Sequence, residues 1–521
     1  MKISDLEQEA GKLIVGRLPG TDLPQDFERL LRRGTIGGIT LFKENVSDLE
    51  QLAILISEVA QNSNHIPIIS VDQEGGAVQR FDDVLTPLPS PMAQAQAQSK
   101  IKDAIERICI INATQSSLLG INCLLSPVID VASEKKCPIV CTRAYSDNSK
   151  LVTEYASIAA RAISSCSVIP VGKHFPGHGA TKEDSHHSLA VIDDELTLWQ
   201  ERDLAPFVDC LKDLPVILTG HIWVKCIEEK ALPASLSYVI NQKLLRENLG
   251  FNGLIMTDDM TMKGITSEFG LGEACVMAVG AGADIVLVNG SLQDQLEAHS
   301  ALVEAFSSGR LPMERLESAI QRRDKLFARR PETAHPYKNR EQYLELERSI
   351  EQEQDSVFQV SSAALNVLKA DFASSLEIQN CESKIDWLVL APSHDRYKLD
   401  VVSELNKLGC TGYSEQRYSL NPEDAEISAL AKQCQGKNVV LLTFRAQINA
   451  GQVELAKAVA KTAEIKLAVM CDTPFDLELL PDWPCVVATY DPSNLAMRAL
   501  GQFIKSKDNA TTRSGVESRS L

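Results

Sequence analysis

The chain of 521 residues lacks any apolar run of the roughly 18–20 residues that a membrane-crossing helix needs. Its opening, Met1-Lys2-Ile3-Ser4-Asp5-Leu6-Glu7, lacks a basic patch followed by an apolar stretch, so no signal peptide is expected. Positive charge is in deficit. Lys and Arg number 52 against 70 Asp and Glu, a net charge of −18, and that balance disfavours a polyanionic partner such as nucleic acid. No GxxxxGK(S/T) loop is present, no GxGxxG opens a helix after a strand, and no GxSxG or Cys/His element supplies a nucleophile. The thirteen cysteines are odd in number, scattered, and often flanked by apolar residues, as in Ile108-Cys109-Ile110. That usage fits small core side chains in a reducing, cytoplasmic compartment rather than a disulfide framework. Cys137 and Cys141 stand closest together, with nothing nearby to complete a zinc set.

What is present is one dense stretch. Lys173-His174-Phe175-Pro176-Gly177-His178-Gly179-Ala180-Thr181 continues through Asp184-Ser185-His186-His187, so four of the nine histidines fall between positions 174 and 187. The apolar run Val168-Ile169-Pro170-Val171 precedes it and cannot continue as a strand through Pro176 and two glycines. Charged and imidazole groups are therefore expected at the carboxyl end of a strand and on the loop beyond, where parallel α/β proteins carry their chemistry. His174 and His178 have metal-pair spacing, but Pro176 and Gly177 argue against the helix that would present both to one ion.

Eight short apolar runs recur over roughly 290 residues. They are Leu13–Gly16, Gly38–Phe42, Ile66–Asp72, Ile121–Leu125, Val168–Lys173, Val216–Thr219, Leu254–Thr257 and Asp284–Val288. Amphipathic stretches lie between them, such as Asp48 to Gln61, with Leu49, Leu52, Ile56 and Val59 at helical spacing. This predicts an α/β fold, an N-terminal (β/α)8 TIM barrel, with an open doubly wound sheet as the alternative. Charged and polar residues follow the runs in series: Asp72, Glu74 and Arg80, then Asp130 and Arg143, Lys173 and His174, His221, Asp258 and Asp259, and Asn289. Turns favour aspartate, but six strand ends in series exceed turn chemistry. The barrel is expected over 1–330, a linker and long charged helix over 331–370 (the helix from roughly Glu341 to Ala370), a smaller α/β sandwich domain over 371–506, and a disordered tail over 507–521.

By residue type alone the barrel mouth offers carboxylates (Asp72, Asp258, Asp259), imidazoles (His174, His186) and cations (Arg80, Arg143, Lys173). A carboxylate nucleophile with a separate proton donor is what glycoside cleavage requires.

The motifs sharpen this. Val71-Asp72-Gln73-Glu74-Gly75-Gly76 with Gln79-Arg80-Phe81, Ser126-Pro127-Val128-Ile129-Asp130-Val131, Thr142-Arg143-Ala144, Lys173 to Gly179 with Asp184-Ser185-His186, and Thr257-Asp258-Asp259-Met260-Thr261-Met262-Lys263-Gly264 occur in order. Together, from about Leu13 to Leu326, they resemble the glycoside hydrolases of family 3, within them the β-N-acetylhexosaminidase branch in its two-domain form. The stretch from Leu365 onward is a weaker match to that family's second domain. The resemblance implies a retaining exo-β-N-acetylglucosaminidase acting on small soluble glycans, cell-wall muropeptides among them, with no cofactor and no metal. It makes Asp258 the nucleophile, His186 the general acid/base and Asp184 its orienting partner. A carboxylate on one imidazole nitrogen fixes the tautomer, which suits that pairing. Asp72, Arg80, Arg143, Lys173 and His174 would bind the hydroxyls of the sugar being cleaved, while His178, His187 and Asp259 are read as packing or strand-end residues. Two departures stand out: Ala77 where arginine often follows Glu-Gly-Gly, and Cys141 where glycine usually precedes Thr-Arg. A phosphorylase on the same scaffold and a non-catalytic sugar-binding protein are the rival expectations. Oligomeric state is not legible in the sequence.

Overall fold

The computed structural model describes residues 2–182, 189–329, 340–370, 387–464 and 466–514. Eight parallel strands close into a barrel: β1 Ile14–Arg17, β2 Gly38–Leu41, β3 Ile68–Val71, β4 Cys123–Leu124, β5 Ile169–Phe175, β6 Val216–Thr219, β7 Leu254–Asp259 and β8 Ile285–Val288. Each pairs with its neighbours in sequence, and β1 pairs with both β2 and β8, which excludes the open-sheet alternative. All eight expected runs form these strands. Parallel strands covered on both faces read as unbroken β-branched segments, so their sequence signal is strong.

Alternate residues share a sheet face, so Ile169 and Val171, Val216 and Leu218, Leu254 and Met256, and Ile285 and Leu287 join one buried cluster with Val15, Ile68 and Cys123. Leu326 and Phe327 of the helix Met313–Ala328 complete it. Helices pack by their apolar stripes. In Leu49–Asn62, Leu52, Ile56 and Val59 are buried, and Asp48 caps the first turn by accepting from the Gln51 N–H at 2.8 Å. At the amino end of β8, buried Asp284 accepts from Arg315 (2.7 Å), Arg322 (2.8 Å), Arg246 and the Ile255 N–H (2.9 Å). Burial alone would raise the Asp284 pKa, but Arg315 and Arg246 outweigh it and hold the carboxyl below its usual range.

The chain divides into two compact units. The first comprises 1–74, 78–87 and 105–354, and the second 75–77, 88–104 and 355–521. In the second, six strands form one sheet: β9 Asn366–Ala370, β10 Trp387–Pro392, β11 Tyr413–Tyr418, β12 Asn438–Thr443, β13 Lys466–Met470 and β14 Cys485–Ala488. Their order is β9-β14-β13-β12-β10-β11, all parallel except β9 against β14. The long helix ends at Ala364, not at Ala370 as expected, because Val367 and its neighbours pair with Val487 and Ala488. Strand β11, Tyr-Ser-Glu-Gln-Arg-Tyr, escaped the sequence analysis because an edge strand has no need of an apolar run. The helix Asn494–Ser514 enters the stretch expected to be a disordered tail, and 515–521 lie outside the described residues.

Gly75 and Gly76, both at positive φ (102° and 55°), belong to this unit. A Cβ on Gly75 would lie 2.3 Å from the Pro89 carbonyl, and one on Gly76 2.5 Å from the Ser90 Cβ. Ser90 caps the helix Pro91–Gln98, donates its hydroxyl to the Tyr490 carbonyl at 2.6 Å and its N–H to Asp491 at 3.1 Å. The twelve described cysteines are free thiols. Among the described residues, no helix is long and apolar enough to cross a membrane.

Candidate active site

The carboxyl end of β5 is buried throughout and delivers Lys173 and His174 in succession. Its pairing with β6 breaks register between Gly172 and Phe175, and β7 breaks register against β8 between Met256 and Asp259. Such irregularities re-aim side chains. Here they fall where the sequence places its chemistry.

Lys173 is the hub. Its ammonium donates to Asp72 at 2.6 Å and pairs with Glu74 at 2.6 Å. Asp72 also accepts from Arg80 at 3.2 Å. Glu74 is fully covered and takes Arg143 through two bonds, Nε to Oε2 at 2.8 Å and Nη2 to Oε1 at 2.9 Å. This fork-to-fork geometry is specific to arginine and carboxylate. Arg143 continues to the Nε2 of His174 at 3.4 Å, and the Nδ1 of His174 lies 2.7 Å from Asp130. A carboxylate can only accept, so Nδ1 carries the proton and Nε2 offers its lone pair towards Arg143. Asp130 also accepts from the backbone N–H of His178 at 2.7 Å.

The charges sustain one another. Burial would raise the Asp72 pKa, but Lys173 and Arg80 hold the carboxyl well below the usual range. Burial lowers and Asp72 with Glu74 raise the Lys173 ammonium, and its pKa ends above the ordinary value. Asp130 is likewise held low against its burial by His174. His178 behaves differently: burial first, then His174, pushes its imidazole down to about 4, so it is neutral near pH 7. The Thr181 hydroxyl donates to the His178 carbonyl at 2.9 Å, so at 2.7 Å it accepts from the His178 Nδ1–H. The Asp258 charge acts on the His178 ring, which places the end of β7 within electrostatic reach of the network.

Asp258 is half-buried and accepts from the Asp259 N–H at 2.9 Å. Asp259 is committed elsewhere. It accepts from the Thr261 N–H (3.1 Å), the Thr261 hydroxyl (2.8 Å) and the Asn289 N–H (3.0 Å), fastening the ends of β7 and β8, and burial raises its pKa. His221 lies between Ser235 at 2.8 Å and the Asp259 carbonyl at 2.8 Å.

Of the expected site residues, Asp72, Arg80, Arg143, Lys173 and His174 therefore meet in one network, and Asp258 lies within its field. Asp184 and His186 lie outside the described residues. Two members stand at strand ends in the sequence series without a role assigned to them: Glu74, which joins Lys173 to Arg143, and Asp130, which holds His174. Glu74 had a signal. It stands two positions from Asp72 in extended chain, which puts both on one face. Cys141 has φ 41°, left-handed backbone that explains why glycine is the expected residue there, and its thiol lies 2.9 Å from the Cys137 carbonyl.

A parallel eight-stranded barrel with carboxylates, cations and imidazoles at its carboxyl-end mouth is the architecture of a barrel enzyme. Residues 2–326 match the family model described as the glycosyl hydrolase family 3 N terminal domain, and the chain belongs to this family. Beta-hexosaminidase A of Pseudoalteromonas piscicida is 30% identical over 339 residues, 60% of this chain and 57% of its own length. A beta-hexosaminidase of Idiomarina loihiensis is 32% identical over 275 residues, 52% of this chain and 82% of its own. This chain thus spans little more than half of the first relative and most of the second. A solved family 3 beta-N-acetylglucosaminidase from Paenibacillus sp. str. FPU-7 superposes with a TM-score of 0.85 at 27% identity, covering 96% of this chain and 97% of that one. A beta-glucoside phosphorylase shares the fold, with a TM-score of 0.78 at 19% identity over 95% of this chain and 91% of its own.

Proposed function

We propose that the chain is a retaining exo-β-N-acetylglucosaminidase that removes terminal β-linked GlcNAc from small soluble glycans, cell-wall muropeptides among them, in the cytoplasm. The observation that carries this proposal is the network from Arg80 through Asp72, Lys173, Glu74 and Arg143 to His174, in electrostatic reach of Asp258 through His178. Asp72, Arg80 and Arg143 are its partly exposed members, so these groups suit sugar hydroxyls.

In this proposal Asp258 attacks the anomeric carbon, the bond to the leaving oxygen breaks, and His186 gives that oxygen a proton. His186 then takes a proton from water as the water oxygen displaces the Asp258 carboxylate. A histidine in this role keeps a second anion away from the nucleophile. Asp184 would accept from the other imidazole nitrogen and hold the tautomer.

The test is release of 4-nitrophenol from its β-GlcNAc and β-glucoside derivatives, with and without added phosphate. Selective turnover of the GlcNAc derivative is expected, falling roughly a thousandfold or more in Asp258→Ala. His186→Ala should abolish the basic limb of the pH profile. A sugar phosphate formed only with phosphate present would make the protein a phosphorylase. No turnover by folded protein would leave the sugar-binding alternative.

A further inference from the structure

The amino end of the barrel holds a cavity of about 710 Å3, within the roughly 300–1,000 Å3 that ligand sites occupy. It lies wholly within the first unit. Its walls come from the segments that enter three consecutive strands: Ser164 and Ser167 before β5, Leu211 to Pro215 before β6, and Leu249 to Gly253 before β7. The helix Met313–Ala328 adds Arg322, Lys325 and Leu326. Strand β7 runs from this cavity at Leu254 to Asp258 at the opposite end, so the cavity is no part of the candidate active site.

Two kinds of surface meet there. The floor is apolar: Leu214, Phe251, Leu254 and Leu326 are all buried. The rim is cationic, in a chain whose net charge is −18. Lys212, Lys325 and Arg329 line the cavity, are exposed, and pair with no carboxylate among the described residues. The lining carboxylate, Asp213, is taken by Arg161 at 3.0 Å. A helix favours cations at its carboxyl end, which accounts for Lys325 and Arg329 without a ligand. It does not account for the other two cations. Lys212 comes from a separate turn, Leu211–Asp213. Arg322 is held in place by donating Nε to Asp284 at 3.2 Å and Nη2 to Asp284 at 2.8 Å and to Ser318 at 3.2 Å, which leaves Nη1 without a partner. Ser167 adds an independent sign. Its φ of 62° is the left-handed backbone that glycine usually supplies after a helix, and here a serine holds it and lines the cavity.

A carboxylate would bring this rim a single charge. A phosphomonoester brings about −1.5 to −2 at pH 7 and three strong acceptor oxygens, a better match to cations arriving from two elements. Ser164, Ser167 and Asn252 offer partners to hydroxyls, and the apolar floor covers the C–H face of a ring. We propose that the cavity binds a sugar phosphate, with Lys212, Arg322, Lys325 and Arg329 drawing the phosphate to the rim and the sugar resting on the floor. The site is independent of the proposed glycosidase activity, and its test reads binding alone.

Calorimetric titration of the full-length protein, in about 0.15 M salt to screen long-range attraction, compares glucose 6-phosphate, inorganic phosphate, glucuronate and glucose. Glucose 6-phosphate is expected to bind roughly tenfold or more tightly than each of the others. Its affinity should fall about threefold in Lys212→Ala and in Lys325→Ala, and about tenfold in the double variant. Both side chains are exposed and unpaired, so the melting temperature without ligand should stay at the wild-type value. Undiminished affinity in the double variant would put the probe elsewhere on the protein and overturn the site. Inorganic phosphate binding as tightly as glucose 6-phosphate would reduce the cavity to a patch of cations and overturn the sugar. Preference for glucuronate would overturn the phosphate, and no saturable binding of any probe would overturn the whole proposal.

Discussion

Glu74 has no exposed surface in its side chain, yet its charge is what lets Lys173 and Arg143 share the interior of the barrel mouth. Burial raises its pKa, but Arg143 and Lys173 outweigh that and hold it below the usual range, so it is ionised at neutral pH. Glu74→Gln keeps the shape and removes the charge, leaving two buried cations to face each other. Breaking one side of a buried ion pair costs about 3–5 kcal/mol. We expect kcat/KM on 4-nitrophenyl β-GlcNAc to fall roughly 30-fold or more, with Arg143 and Lys173 no longer held against Asp72 and His174. Circular dichroism separates this from unfolding, and a folded variant with less than a twofold loss would remove Glu74 from the site. At this scale the sequence shows residue types well and pairings poorly. Asp130 and His174 are 44 positions apart, and nothing local announces their bond.

At the scale of elements, what was legible depends on burial. The eight barrel strands are unbroken apolar runs, and β10, β12, β13 and β14 read the same way. Strands β9 and β11 were missed because edge strands are half solvated, and β9 continues from a helix with only Leu365 between them. The loop after β5 was legible as a site and not as a shape. Gly179 shows why it must be glycine: a Cβ there would lie 1.6 Å from the Val131 carbonyl, a backbone atom that cannot turn aside. Gly179→Ala should displace the run from His178 to Lys182, lower kcat/KM more than tenfold and depress the melting temperature. Wild-type kinetics in this variant would mean that the loop adjusts without consequence for the site.

At the scale of the whole molecule, the two ends of the barrel divide the labour between chemistry and stability. Asp284 at the amino end collects Arg246, Arg315 and Arg322, as Asp72 and Glu74 collect cations at the other. Asp284→Asn should lower stability by about 3–5 kcal/mol in chemical denaturation and leave kcat/KM within about twofold, where Glu74→Gln lowers it. Loss of substrate affinity without loss of stability would contradict that division. The second unit's claim on 88–104 also reaches into biosynthesis. Ser90 finds Asp491 401 positions further on. At about 5–20 residues per second, a nascent chain makes that partner roughly 20–80 s later. Until then Leu88, Met92 and Ala97, buried in the finished protein, lack most of the unit to which they belong. The barrel's strands are complete long before this segment is, so the growing polypeptide carries these residues without the rest of their unit through most of its synthesis.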